Sequence, residues 1–161
     1  MRNGKLHPKA EDYKKKYPLL FRDGCLRSGF YLPEGWNLLV NKLCATIENQ
    51  LQYYVPEEIR GEVFVAQVKE KFGGLRFNMN ASTPYIDGAI SLAEGLSYNI
   101  CEACGLPGEL RLGGYIKTLC DADVAREKEE EKELNKKYMK EQRARAKQEK
   151  VKLLIEESLK K

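Results

Sequence analysis

Cys101-Glu-Ala-Cys104 is followed by Cys120 and then by Asp123. Thiolates in a Cys-x2-Cys pair can turn inward around one ion, and a hairpin over the intervening residues returns a third thiolate to them. Asp123 occupies the place where a second knuckle carries its fourth ligand. A carboxylate is a permitted but uncommon ligand in structural zinc sites. Zinc held by Cys101, Cys104, Cys120 and Asp123 is therefore the preferred assignment. Two alternatives stay open. His7 or Cys25 can supply the fourth ligand from the N-terminal segment, or the knuckle folds without metal and packs its cysteines as small apolar groups.

A second set lies in Gln67-Val-Lys-Glu-Lys-Phe-Gly-Gly-Leu-Arg-Phe77, where Lys69, Lys71 and Arg76 stand beside Phe72 and Phe77. Cations next to aromatic rings can hold phosphate and stack a base. Trp36 joins Lys69, Lys71, Phe72 and Arg76 as a candidate ligand contact. The competing reading makes the aromatics core and the cations solvated strand edges. Catalysis finds no constellation. The one histidine, His7, lies in the basic head, and no His-Glu-x-x-His, phosphate-loop or nucleophile-elbow pattern occurs. The expectation is a binding protein and not an enzyme.

The elements that must position these groups read as α+β. Residues 1–19 are polar, basic and dotted with tyrosine, and are expected as an irregular N-terminal arm. Trp36, Leu39, Leu43, Ile47 and Leu51 recur at helical spacing after Pro33. Residues 62–80 switch to period two, with Val63 and Val65 on one face, Phe64, Ala66 and Val68 on the other, and Gly73-Gly74 as the turn. Thr83-Pro84 signals a helix start, with Ile86, Ile90, Ala93 and Leu96 or Tyr98 on its buried face. Glu109–Leu112 and Tyr115–Thr118 flank Gly113-Gly114 as a small second hairpin. The α+β domain is expected over residues 20–123, followed over 124–161 by one long charged helix without Gly or Pro. Val151, Leu154, Ile155 and Leu159 make an apolar stripe at its end. A protein partner, the chain's own domain or a second copy can cover such a stripe.

Charge is uneven. Residues 1–30 carry eight basic side chains against three acidic, residues 31–120 seven against ten, and residues 121–161 thirteen against eleven, within an overall +4. No apolar run approaches the roughly 20 residues that span a bilayer, and the N-terminus lacks a signal-peptide apolar core. Five cysteines, an odd number, without an export signal imply reduced thiols and metal rather than disulfides.

The stretches GFYLPEGWNLLVNKLC, QVKEKFGGLRF and CEACGLPGELR…GGYIKTLC together resemble a family of small uncharacterised proteins of phages, prophages and bacteria. The resemblance spans about residues 20–123 and includes Cys101, Cys104 and Cys120. Where that family's pattern closes on a histidine this chain has Asp123, a departure that lowers the expected zinc affinity. The resemblance implies the fold and a phage-type origin in a bacterial cytoplasm, and no activity. The expected function is that of an accessory protein acting through protein–protein contacts, as an inhibitor of a host or defence protein or as an assembly component. Nucleic acid or a nucleotide, bound by Lys69, Lys71, Arg76 and the basic arm, is the alternative partner.

Overall fold

The computed structural model describes residues 8–22 and 25–158, and it divides into two compact units, residues 1–121 and 122–161. His7 and Leu159 lie outside the described residues, as do the side chains of Val151, Leu154 and Ile155, and with them the expected apolar stripe. The first unit mixes helix and sheet. Its order is α1 (Pro8–Lys16), a 3-10 turn (Glu34–Trp36), α2 (Asn37–Tyr53), α3 (Glu57–Arg60), β1 (Val65–Lys71), β2 (Gly74–Met79), α4 (Pro84–Ser97), β3 (Glu109–Arg111) and β4 (Lys117–Leu119). The second unit is the helix α5, Asp121–Ser158, whose first residue closes the first unit. At 1.5 Å per residue it is about 57 Å long. Ion pairs join Arg126 to Asp123 and Glu130, and Lys132 to Glu129, while Leu134, Tyr138 and Met139 are exposed.

The expected N-terminal arm is corrected over its described part. Residues 8–16 are helical, and Ala10, Tyr13, Tyr17 and Leu20 are buried in the main core. Their spacing of three and four is a helical stripe, but two of its four members are tyrosines set among lysines, so it reads as polar. The tyrosine hydroxyls explain how such a stripe can be buried. Tyr17 donates to the Asn41 backbone carbonyl at 2.9 Å and to Asn41 Oδ1 at 3.0 Å, and Asn41 Nδ2 donates to Tyr13 Oη at 2.9 Å. Glu48 accepts from the backbone N–H groups of Leu19 and Leu20, at 2.9 Å each. Burial, with Cys44 and Tyr17 nearby, pushes the Tyr13 phenol upward. Burial and then the Glu48 carboxylate hold the Cys44 thiol well above its usual range, with Lys16 opposing weakly.

The β1–β2 hairpin departs from simple alternation. Val65 pairs with Met79 and Gln67 with Asn78, so the register slips between them and Ala66 is bulged. The bulge turns the strand so that Val65 and Val68, three residues apart, are both fully buried. Both hairpin edges are covered. Backbone groups of residues 26–31 bond along β1, including Tyr31 N–H to the Val68 carbonyl at 2.8 Å. On the other edge α4 supplies side chains: Leu75 N–H donates to Ser97 Oγ at 2.8 Å and Phe77 N–H to Glu94 Oε1 at 2.9 Å. An exposed edge would otherwise invite foreign strands.

Asn41→Ala tests whether α1 belongs to the core. It removes a partner from the half-buried hydroxyls of Tyr13 and Tyr17, and leaving buried polar groups unsatisfied costs about 1–3 kcal/mol. Chemical denaturation should show a loss in that range. A change within about 0.5 kcal/mol, typical of a surface site, contradicts the packing of α1 on α2.

Candidate metal centre and the adjoining hairpin

The knuckle is a tight backbone loop closed on itself. Cys101 N–H donates to the Leu106 carbonyl at 2.8 Å, Gly105 N–H to the Cys101 carbonyl at 2.9 Å, and Gly108 N–H to the Asn99 carbonyl at 3.0 Å. This arrangement turns the side chains of Cys101 and Cys104 to the same side. β3 and β4 then carry the chain out and back, pairing Glu109 with Leu119, and set Cys120 beside them.

The ligand atoms of Cys101, Cys104, Cys120 and Asp123 all lie within 4.8 Å of one another, the set expected from spacing. Cys104 Sγ and Cys120 Sγ are 3.7 Å apart. That is far beyond a disulfide bond of about 2.0 Å. It matches the edge of a tetrahedron of thiolates around zinc, about 3.8 Å for Zn–S bonds of about 2.3 Å. Asp123 is buried, and one carboxylate oxygen meets the Arg126 guanidinium at 2.6 Å. A carboxylate has two oxygens, so Arg126 can orient one while the other faces the thiols, the usual outer partnership of a metal ligand. These four residues can hold one metal ion. Cys25, the alternative ligand, is instead buried in the main core with Leu20, Phe21 and Phe30.

The knuckle is pinned to the rest of the unit by close backbone contacts. A Cβ on Gly35 would run into the Cys101 carbonyl oxygen and come within 2.5 Å of the Gly105 nitrogen. Gly35 N–H donates to the Glu102 carbonyl at 2.8 Å, and Glu102 N–H to the Thr118 carbonyl at 2.9 Å. Trp36 is corrected here as a ligand contact. It is 0% exposed, and its indole Nε1–H donates to the Ile100 carbonyl at 2.9 Å, just before the first cysteine. Its role is to anchor the knuckle.

The hairpin tip touches the knuckle. Lys71 pairs with Gly74, so the two-residue turn is Phe72-Gly73 and not Gly73-Gly74. Both have positive φ, +56° and +74°, as a type I′ turn requires. A Cβ on Gly73 would lie 2.5 Å from Leu110 Cδ1 and 3.2 Å from the Lys117 carbonyl carbon. Thr118 Oγ1 donates to the Gly73 carbonyl at 2.6 Å in a buried contact. Glu70 Oε1 accepts from Gly73 N–H at 2.7 Å. Phe72 has no such accommodation: a left-handed backbone costs a non-glycine residue roughly 1–2 kcal/mol, and its ring is 62% exposed. Phe77 is core, as one of the two readings required.

The cations are placed unequally. Lys69 lies directly opposite Arg76 across the strands, with Lys71 two residues along the same face. Arg76 is anchored to Tyr98 Oη at 2.9 Å and to the Leu75 carbonyl at 2.6 Å. Lys71 Nζ sits 5.2 Å from the Phe72 ring centroid. Sequence reading missed Tyr98 as the support of Arg76, and no sequence signal pairs residues so far apart.

Two outcomes are expected. Protein purified without chelator should contain about one bound metal ion per chain, carried by the four clustered ligand residues. Cys104→Ser should abolish retention, and Arg126→Ala should weaken it about 10- to 100-fold in a chelator competition titration. Metal retained unchanged in both variants removes the site. Independently, Gly35→Ala should cost about 3 kcal/mol, because the new methyl meets backbone that cannot turn aside. Gly95→Ala, where nothing lies within 4 Å, should instead stabilise by up to about 1 kcal/mol. Equal effects on thermal unfolding contradict the close approach at Gly35.

No protein-family model, curated protein or solved structure matches the chain.

Proposed function

We propose that this chain is a non-catalytic, phage-type accessory protein in which one structural zinc ion holds the knuckle, and which acts by docking a helix of a protein partner. Three thiolates and a carboxylate form a closed set of four, leaving zinc no open position for a substrate or water. The knuckle's contacts with Gly35 and Gly73 give the metal a structural task. The resemblance to phage and prophage proteins supports the origin.

The observation that carries the docking reading is the groove between α2 and α4. It encloses about 560 Å³ and is lined mainly by Leu39, Leu43, Tyr85, Ala89, Leu92 and Leu96, with Lys42 its one charged lining residue. Leu92 is 66% exposed and Tyr85 57%. The carboxylate of Glu94 is turned to the hairpin edge instead. Two adjacent helices of about 25 and 21 Å frame a trough suited to the apolar face of a third helix, and the rim ammonium of Lys42 complements an acidic flank.

A photo-crosslinking residue at position 92, used in the bacterial host, should capture one defined protein through a helical segment. A peptide of that segment should bind the purified chain in a salt-insensitive manner. Leu92→Glu should weaken that peptide at least tenfold, equivalent to about 1.4 kcal/mol, with thermal stability unchanged because the side chain is exposed. Capture of nothing at position 92, or unchanged peptide affinity in Leu92→Glu, rejects the reading.

A further inference from the structure

We infer that the outer face of the β1–β2 hairpin is a binding site for single-stranded nucleic acid, with Phe72 as the platform on which a base stacks. This site is separate from the α2–α4 groove and stands whether or not a helix docks there. Lys69 and Arg76 are direct cross-strand partners, and Lys71 extends the same face. Like charges placed opposite one another repel, and the carboxylate of Glu70 is committed to the turn at Gly73 N–H. The remaining neighbours on that face are neutral: Gln67 and Asn78, which bond to each other at 3.2 Å, and Tyr98, whose hydroxyl accepts from Arg76 at 2.9 Å and whose ring lies against Gly74. A row of cations without a carboxylate between them is suited to a chain of phosphates.

The second observation is independent of charge. Phe72 occupies the first central position of a type I′ turn, where Asn or Gly satisfies the backbone better. It is held at φ +56° with its ring 62% exposed. Packing therefore gives no reason for a large apolar side chain there, and an observed outlier of this kind points to a function. The ring has Lys71 against it at 5.2 Å. An exposed ring beside a row of cations is the arrangement that tracks a single strand, phosphates on the cations and a base on the ring. A base inside a duplex offers no free face to such a ring, which is why a single strand is favoured. Tyr115, 90% exposed, adds a second ring two residues before Lys117, whose carbonyl carbon abuts Gly73. An acidic protein segment would satisfy the cations but gives no use to the strained Phe72.

The test uses the full chain and fluorescently labelled oligo-dT and oligo-U of about 16 nucleotides, read by anisotropy. Binding should weaken with salt, with a log–log slope of about −2 for three phosphate contacts. The two oligomers separate DNA from RNA as the source. Phe72→Asn should lower affinity about tenfold or more, while thermal stability stays level or rises because Asn-Gly suits the turn. Lys71→Ala should reduce the salt slope by about one contact. Absence of binding to both oligomers overturns the inference. So do unchanged affinity in Phe72→Asn, equal affinity for a duplex of the same length, or displacement by a polyglutamate peptide as effective as by unlabelled oligonucleotide.

Discussion

The contact on which the first unit depends is the one between the knuckle loop and the backbone at Gly35. There the chain of the metal-ligand loop lies directly on the chain that begins α2, with no side chain between them. Trp36, next in sequence, fills the core and fixes the Ile100 carbonyl. A loop seated this way cannot shift without moving α2. It also sets the place of Thr118, which holds Gly73 at the tip of the other hairpin. The knuckle cysteines Cys101 and Cys104, the start of α2 and the hairpin turn are thus positioned by one set of short backbone contacts.

That arrangement explains how a two-stranded hairpin, marginal by itself, stands in the middle of the unit. One edge is bonded by the backbone of residues 26–31 and the other by side chains of α4. One face buries Val65, Val68, Leu75 and Phe77. What remains accessible is the face with Lys69, Lys71 and Arg76 and the tip with Phe72. The groove and the hairpin share α4 but use different side chains of it: Leu92 and Leu96 line the groove, while Glu94 and Ser97 bond the hairpin edge.

The clustering of Cys101, Cys104, Cys120 and Asp123 was legible because metal chemistry requires a short fixed spacing, and spacing is a local property. The helix at Thr83-Pro84 was legible for the same reason: Thr83 Oγ1 accepts from Ile86 N–H at 3.4 Å, with Pro84 in the first turn. What failed depended on partners distant in the chain. Tyr13 and Tyr17 read as polar until Asn41 satisfies their hydroxyls. Trp36 read as a ligand contact until the carbonyl of Ile100, 64 residues later, takes its N–H. The bulge at Ala66 leaves no mark in an alternating pattern, and so Val65 and Val68 were assigned to opposite faces. Gly73-Gly74 signalled a turn correctly, but the second glycine serves the close approach of the Tyr98 ring, and Phe72 takes the strained position.

The central claim is that Asp123 completes a tetrahedral site with three thiolates. X-ray absorption at the zinc edge of the purified protein measures this directly. Three sulfur scatterers at about 2.3 Å and one light scatterer at about 2.0–2.2 Å are expected, with the outer-shell scattering of an imidazole ring appearing in Asp123→His. A shell with two or fewer sulfurs, or no imidazole scattering in Asp123→His, would contradict it.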